Sequence, residues 1–197
     1  KGALLEEPKV KDVKGYEFEG WFTDEALTKK FDFDEPINKS ITLYAKWTEI
    51  LMEFESDTYS VEEKDDVKIV IGMEKGVTIE EFIDNLKNPK EYLNVYDSEG
   101  TKIDDYTQVV GTGLIVKLEV EDKVYDEATI VLRGDLNGDG MITGIDQTMV
   151  KNIVLEKIER TFVLDKASDV TFDDLITGTD ITKIKNYILE KITSLNE

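Results

Sequence analysis

Apolar and polar positions alternate with a period of two through most of the first two thirds of the chain, then switch to helical spacing. Alternation places successive side chains on opposite faces of a strand, whereas a spacing of three to four places them on one face of a helix. Near the start, aromatic positions alternate at Tyr16, Phe18 and Trp21 to Phe22, and again at Tyr44 and Trp47, which predicts a strand pair. Further strands are expected at 67–73 (VKIVIGM), 92–97 (YLNVYD), 113–120 (GLIVKLEV) and 128–134 (ATIVLRG). One short helix interrupts them. Thr78 and Glu81 form a capping box ahead of Ile79, Phe82, Ile83 and Leu86, and Pro89 lies just past its end. In the last third, KNIVLEKI (151–158) and KNYILEKI (185–192) repeat at one offset, and each follows a polar loop.

Those loops carry the chemistry. Residues 135–146 (DLNGDGMITGID) place oxygen donors where a 12-residue calcium loop needs them, with side chains at positions 1, 3, 5 and 12 and a backbone carbonyl at position 7. The candidate ligands are Asp135, Asn137, Asp139, Met141 through its carbonyl, Thr143 through water, and Asp146. Gly140 falls at position 6, where the sharp turn favours a residue without Cβ. A second copy, 169–180 (DVTFDDLITGTD), starts 34 residues later and offers Asp169, Thr171, Asp173, Leu175, Thr177 and Asp180. It is the poorer site, because Asp174 replaces the turn glycine and Thr171 replaces the amide oxygen. Thr143 and Thr177 stand three residues before the last aspartates, a spacing that caps the following helices. A strand-like run, DEATIVLRG, stands where an EF-hand would have its entering helix.

Two calcium loop–helix (F-hand) units with paired Lys-Asn in both helices resemble a dockerin module of the broad type I kind, over about residues 134–192. The resemblance implies a small all-α module folded around two Ca²⁺ ions and docked onto a cohesin domain of a scaffold protein. It further implies that Gly144, Ile145, Lys151, Asn152 and Leu155 form one contact face, and Gly178, Thr179, Lys185, Asn186 and Leu189 the other. Gly-Ile and Gly-Thr stand at loop positions 10 and 11, where the family commonly has Ser-Thr or Ser-Ser, so partner identity is open while partner class is not.

Composition narrows the functions available. The 197 residues include no cysteine and no histidine, which excludes thiolate zinc sites, disulfides and every imidazole-based triad. No catalytic residue is assigned and no enzyme is expected. Net charge is −20: −3 over residues 1–49, −13 over 50–132 and −4 over 133–197. Nucleic acid and anionic membranes are poor partners for such a surface. Two calcium ions would bring the last segment close to neutral. No run approaches the roughly 18 apolar residues of a membrane helix. The chain opens on Lys1, so a longer secreted parent is expected, placed outside the cell or at its surface and monomeric when unbound.

The remaining segments complete a multidomain reading. Residues 1–49 (GYEFEGW, then FDF and ITLYAKW) resemble the Listeria–Bacteroides repeat, or internalin B-repeat, of Gram-positive surface proteins, which implies a β-grasp-like fold, here short of its first strand. Residues 50–133 form a β-rich α+β segment similar to the X modules that precede dockerins, and 134–197 are the dockerin. Two functions compete. One is cohesin-dependent attachment of a multimodular protein to a cell-surface or cellulosome-like scaffold. The other is a calcium-stiffened adhesin stalk in which Trp21 and Trp47 bind sugar or host. The matched Lys-Asn pairs favour the first.

Overall fold

The computed structural model describes residues 3–50, 52–121 and 123–196. They fall into two compact units, Lys1–Leu51 and Met52–Glu197.

The first unit is built on one antiparallel ribbon, β1 (Tyr16–Phe22) paired with β2 (Tyr44–Glu49). The pairing sets Phe18 opposite Trp47, with a bulge between Phe18 and Gly20. Phe18 contacts both tryptophans, its ring centroid 5.7 Å from Trp21 and 5.0 Å from Trp47. The indole N–H of Trp21 donates to the carbonyl of Pro8 (3.3 Å). Both tryptophans are half-buried, so the rings supply apolar area that so short a segment otherwise lacks. Isolated bridges from Ala3 to Ile37 and from Phe22 to Lys30 accompany this ribbon.

The second unit holds a five-stranded mixed sheet, ordered β3 (Ser60–Lys64), β4 (Val67–Ile71), β7 (Lys123–Val131), β6 (Ile115–Val120) and β5 (Leu93–Tyr96). Neighbours are antiparallel except β4 and β7, which run parallel. Strands β5 and β6 alternate as expected, with Leu93, Val95, Val116 and Leu118 inward. Helix α1 (Ile79–Asp84) starts at the Thr78–Glu81 capping box and packs Ile79, Phe82 and Ile83 on that face. Tyr59 stacks on Phe82 at 5.3 Å.

The sheet is buried on its other face too. The run Val67–Ile71 does not alternate, because Val70 joins the α1 core while Ile69 and Ile71 face a second one. That second core contains Val131 from β7 together with Leu136, Ile142, Val150, Ile153, Ala167, Val170, Ile184 and Leu195. Its helices are α2 (Gly144–Val154), α3 (Phe162–Ser168) and α4 (Gly178–Ile188). The β-rich and helical segments on either side of residue 134 share this core within one compact unit. At the far end of the chain, the Asn196 amide donates to the carbonyl of Met73 (3.0 Å), closing the helical part back onto the sheet.

Candidate metal centre and docking faces

Each calcium-loop candidate is a network of backbone N–H groups converging on aspartate. In the first, the carboxylate of Asp135 accepts from Gly138 (2.8 Å) and Gly140 (3.1 Å). In the second, Asp169 accepts from Phe172 (2.8 Å) and Asp174 (3.0 Å) at the same positions. At position 12, Asp146 accepts from Leu136 (2.9 Å), Asn137 (3.3 Å) and Thr143 (2.8 Å). Asp180 repeats this with Val170 (3.1 Å), Thr171 (3.2 Å) and Thr177 (2.9 Å). Position 5 also matches, since Asp139 accepts from Met141 (2.8 Å) and Asp173 from Leu175 (2.9 Å). The two loops fold alike although only some of their residues agree.

Backbone conformation shows where they differ. Gly138 and Gly140 adopt φ of 79° and 75°; Phe172 and Asp174 adopt 63° and 59°. The left-handed turn expected at position 6 is present in both loops, and position 4 needs it as well. Thr143 and Thr177 cap α2 and α4, their hydroxyls accepting from Ile145 and Thr179 (3.2 Å each). Thr171 donates its hydroxyl proton to Asp180 (2.9 Å), which fixes the orientation of the position-3 oxygen in the second loop.

The donor chemistry fits a hard divalent cation. Asp135, Asp146 and Asp180 are fully buried and Asp169 is nearly so. Buried carboxylates need positive charge nearby, and oxygen-rich loops of this kind supply it through calcium. Burial pushes the Asp135 carboxyl above its ordinary range, against the lowering effect of the N–H groups of Thr112, Gly138 and Gly140. Asn137, Asp139 and Asp173 lie exposed at the loop rims, and among the described residues no three acidic side chains are gathered as a ready metal site. A bound cation would meet these rim side chains together with the buried aspartates, all of them oriented by backbone donors. The second loop has two basic neighbours the sequence did not reveal. Arg133 donates to the carbonyls of Lys166 (3.2 Å) and Asp169 (2.9 Å), and its guanidinium lies 4.5 Å from the Phe172 ring. Lys183 approaches the same ring (5.0 Å) and donates to the carbonyl of Val170 (2.6 Å).

The residues of the two candidate contact faces match in exposure. Gly144, Ile145, Lys151 and Leu155 are exposed and Asn152 is half-buried; Gly178, Thr179, Lys185 and Leu189 are exposed and Asn186 is half-buried. Leu155 and Leu189 end their helices and are each 52% exposed. Both helices close the same way: Leu155 and Leu189 donate to Lys151 and Lys185, and Glu156 and Glu190 turn left-handed at φ of 56° and 55°. Met141 and Leu175, at loop position 7, add an exposed apolar residue to each copy.

Residues 133–189 match the family profile of the Dockerin type I domain. The chain carries a dockerin. Residues 1–46 match the Listeria-Bacteroides repeat domain, so two module types of a multimodular protein stand in one chain. Both are non-catalytic module types, and dockerin domains as a family bind cohesins. Two relatives come from Evansella cellulosilytica. One, named "Putative membrane protein", is 35% identical over 99 residues, which is 49% of this chain and 14% of that protein. The other, named "Putative Gly-rich membrane protein", is 37% identical over 59 residues, or 28% of this chain and 7% of that protein. The chain thus spans a seventh or less of these relatives' lengths. No solved structure matches it. Among the described residues, no helix is long and apolar enough to cross a membrane.

Proposed function

We propose that this chain is the calcium-dependent cohesin-binding region of a secreted multimodular protein, and that it attaches the parent to a cell-surface or cellulosome-like scaffold. Two Ca²⁺ ions are the cofactors, held by Asp135, Asn137, Asp139, Met141, Thr143 and Asp146, and by Asp169, Thr171, Asp173, Leu175, Thr177 and Asp180. The observation that carries this reading is the repeated N–H frame around Asp135/Asp146 and Asp169/Asp180, joined to two matched faces at Lys151-Asn152 and Lys185-Asn186. A partner that recognised one face would find nearly the same donors on the other. The part of the second unit before residue 134 serves as an X-type module, and the N-terminal repeat as a spacer.

No catalysis is assigned to the chain. Its net charge of −20 argues against nucleic acid and anionic membranes as partners, and the free module is monomeric in this reading. In the adhesin-stalk reading the tryptophans would be free to stack on sugars, but here they pack on Phe18.

The test is a pull-down from the secreted or cell-surface fraction of the source organism, with and without EDTA. A cohesin-bearing scaffold protein released by EDTA is the expected result. Retention of that partner in EDTA would overturn calcium dependence, and capture of glycans without any cohesin would favour the stalk.

A further inference from the structure

The first calcium loop does not stand alone; the β-rich part of the same unit holds it. The backbone N–H of Thr112, in the segment entering β6, donates to the Asp135 carboxylate (3.0 Å) in a buried setting. The Thr112 hydroxyl both accepts from the N–H of Leu132 (3.0 Å) and donates to its carbonyl (3.1 Å), fixing the segment against the end of β7. Glycines make the approach possible. A Cβ at Gly111 would lie inside van der Waals distance of the Gly138 carbonyl oxygen and 3.0 Å from the Gly140 nitrogen. A Cβ at Gly138 would likewise meet the Thr112 carbonyl oxygen, and one at Gly140 would lie 3.0 Å from that of Val110. Backbone therefore packs directly on backbone over the sharp turn of the loop, from both sides. The second loop takes its outside contacts differently, through Arg133 and Lys183 donating to its main-chain carbonyls.

We propose that Gly111 and Thr112 are positioning residues of the first calcium site. The Thr112 N–H orients the position-1 carboxylate from outside the loop, and the close fit at Gly111 keeps that donor in place, so the β-rich segment sets the affinity of the first loop and leaves the second alone. Groups that hydrogen-bond to a metal ligand from outside its immediate sphere change metal affinity by about 10- to 100-fold when removed. The proposal rests on the calcium reading above.

The experiment uses the full chain titrated with CaCl₂ by calorimetry, the two binding steps being assigned with Asp139→Ala and Asp173→Ala. Gly111→Ala, where the backbone is not left-handed and only space is lost, should weaken the first-loop step about tenfold or more and move the other less than twofold. Thr112→Val keeps the N–H but loses the clamp on Leu132; it should weaken the same step severalfold, and it stands in if Gly111→Ala does not fold. In a ¹⁵N-edited NMR titration of the unsubstituted chain, the Thr112 amide should shift with filling of the first loop and not with the second. Equal loss in both steps, no loss in either, or a Thr112 amide that follows the second loop would overturn the proposal while leaving calcium binding intact. An unsubstituted chain with no calcium step would overturn both.

Discussion

Phe172 stands in the second loop where Gly138 stands in the first, and both residues adopt left-handed backbone, at φ of 63° and 79°. An L-residue with a Cβ is strained there by roughly 1–2 kcal/mol, so the second loop is held together against its own conformational preference. The stacking of Arg133 and Lys183 on the Phe172 ring contributes in the opposite direction.

The same comparison at position 6 predicts opposite outcomes for two substitutions. Asp174→Gly should stabilise the second unit by about 0.5–1 kcal/mol by relieving φ of 59°. Gly140→Ala should destabilise it by more than that, since it adds strain at φ of 75° and a Cβ 2.7 Å from Val109 Cγ2. Urea midpoints in the presence of calcium read both.

The first loop should bind calcium more tightly than the second. Asn137 brings an amide oxygen where the second loop has the weaker hydroxyl oxygen of Thr171, and Gly140 makes without strain the turn that Asp174 makes at φ of 59°. Asp139→Ala is expected to remove the tighter calorimetric step and Asp173→Ala the weaker; the reverse assignment would reject the ranking. Affinities between about 10⁻⁹ and 10⁻⁵ M span the range of such loops.

Chelation should reach into the sheet. If α2 and α4 loosen when carboxylates repel without a cation, Ile69, Ile71 and Val131 lose their cover. Amide exchange in EDTA should therefore speed up in β4 and at the end of β7 as well as in the helices, while β5 and β6 stay protected. Exchange rates confined to the helices would show that the shared core survives without metal.

The two docking faces should be nearly interchangeable. Replacing Lys151 and Asn152 by alanine, or Lys185 and Asn186, should halve the cohesin-bound population at most, roughly 0.4 kcal/mol, whereas the quadruple change should abolish binding. Titration against the cohesin found by pull-down measures each. Loss of binding from one pair alone would show a single orientation, with Ile145 against Thr179 the first difference to examine.

Alkaline pH should act through Tyr96. Its hydroxyl donates to Glu119 (2.6 Å), and that bond, with burial and the carboxylate's charge, pushes the phenol up to about 12. Because the folded value lies above the ordinary 10.0, the stabilisation is present below pH 10 and is lost as pH rises toward 12. Burial also raises the phenols of Tyr44, Tyr59, Tyr106 and Tyr187, so absorbance titration at alkaline pH should show a late-ionising group of tyrosines whose amplitude falls by one in Tyr96→Phe.

Local chemistry was legible in the sequence. The Thr143 and Thr177 caps and the Thr78–Glu81 capping box are set within a few residues, and the structure places them as their spacing predicts. Helix α3 was missed, since seven residues give too little period to read, although Thr161 caps Leu164 (3.2 Å). Strand β3 escaped because SVEEK is an exposed, largely polar edge. The merging of the β-rich and helical segments left a trace: IVI (69–71) and IVL (130–132) are unbroken apolar runs, the pattern of strands covered on both faces. Gly111-Thr112-Gly113 gave no local signal of its role, because its partner lies 23 residues away at Asp135.

The shared core also decides what can be moved as a piece. A graft or a recombination event that cuts at Gly134 would carry away Leu136, Val150, Ile153 and Ile184 without the Ile69, Ile71 and Val131 they lie against, leaving a greasy scar on donor and transplant alike. The transferable cassette is the whole second unit, cut at residue 52.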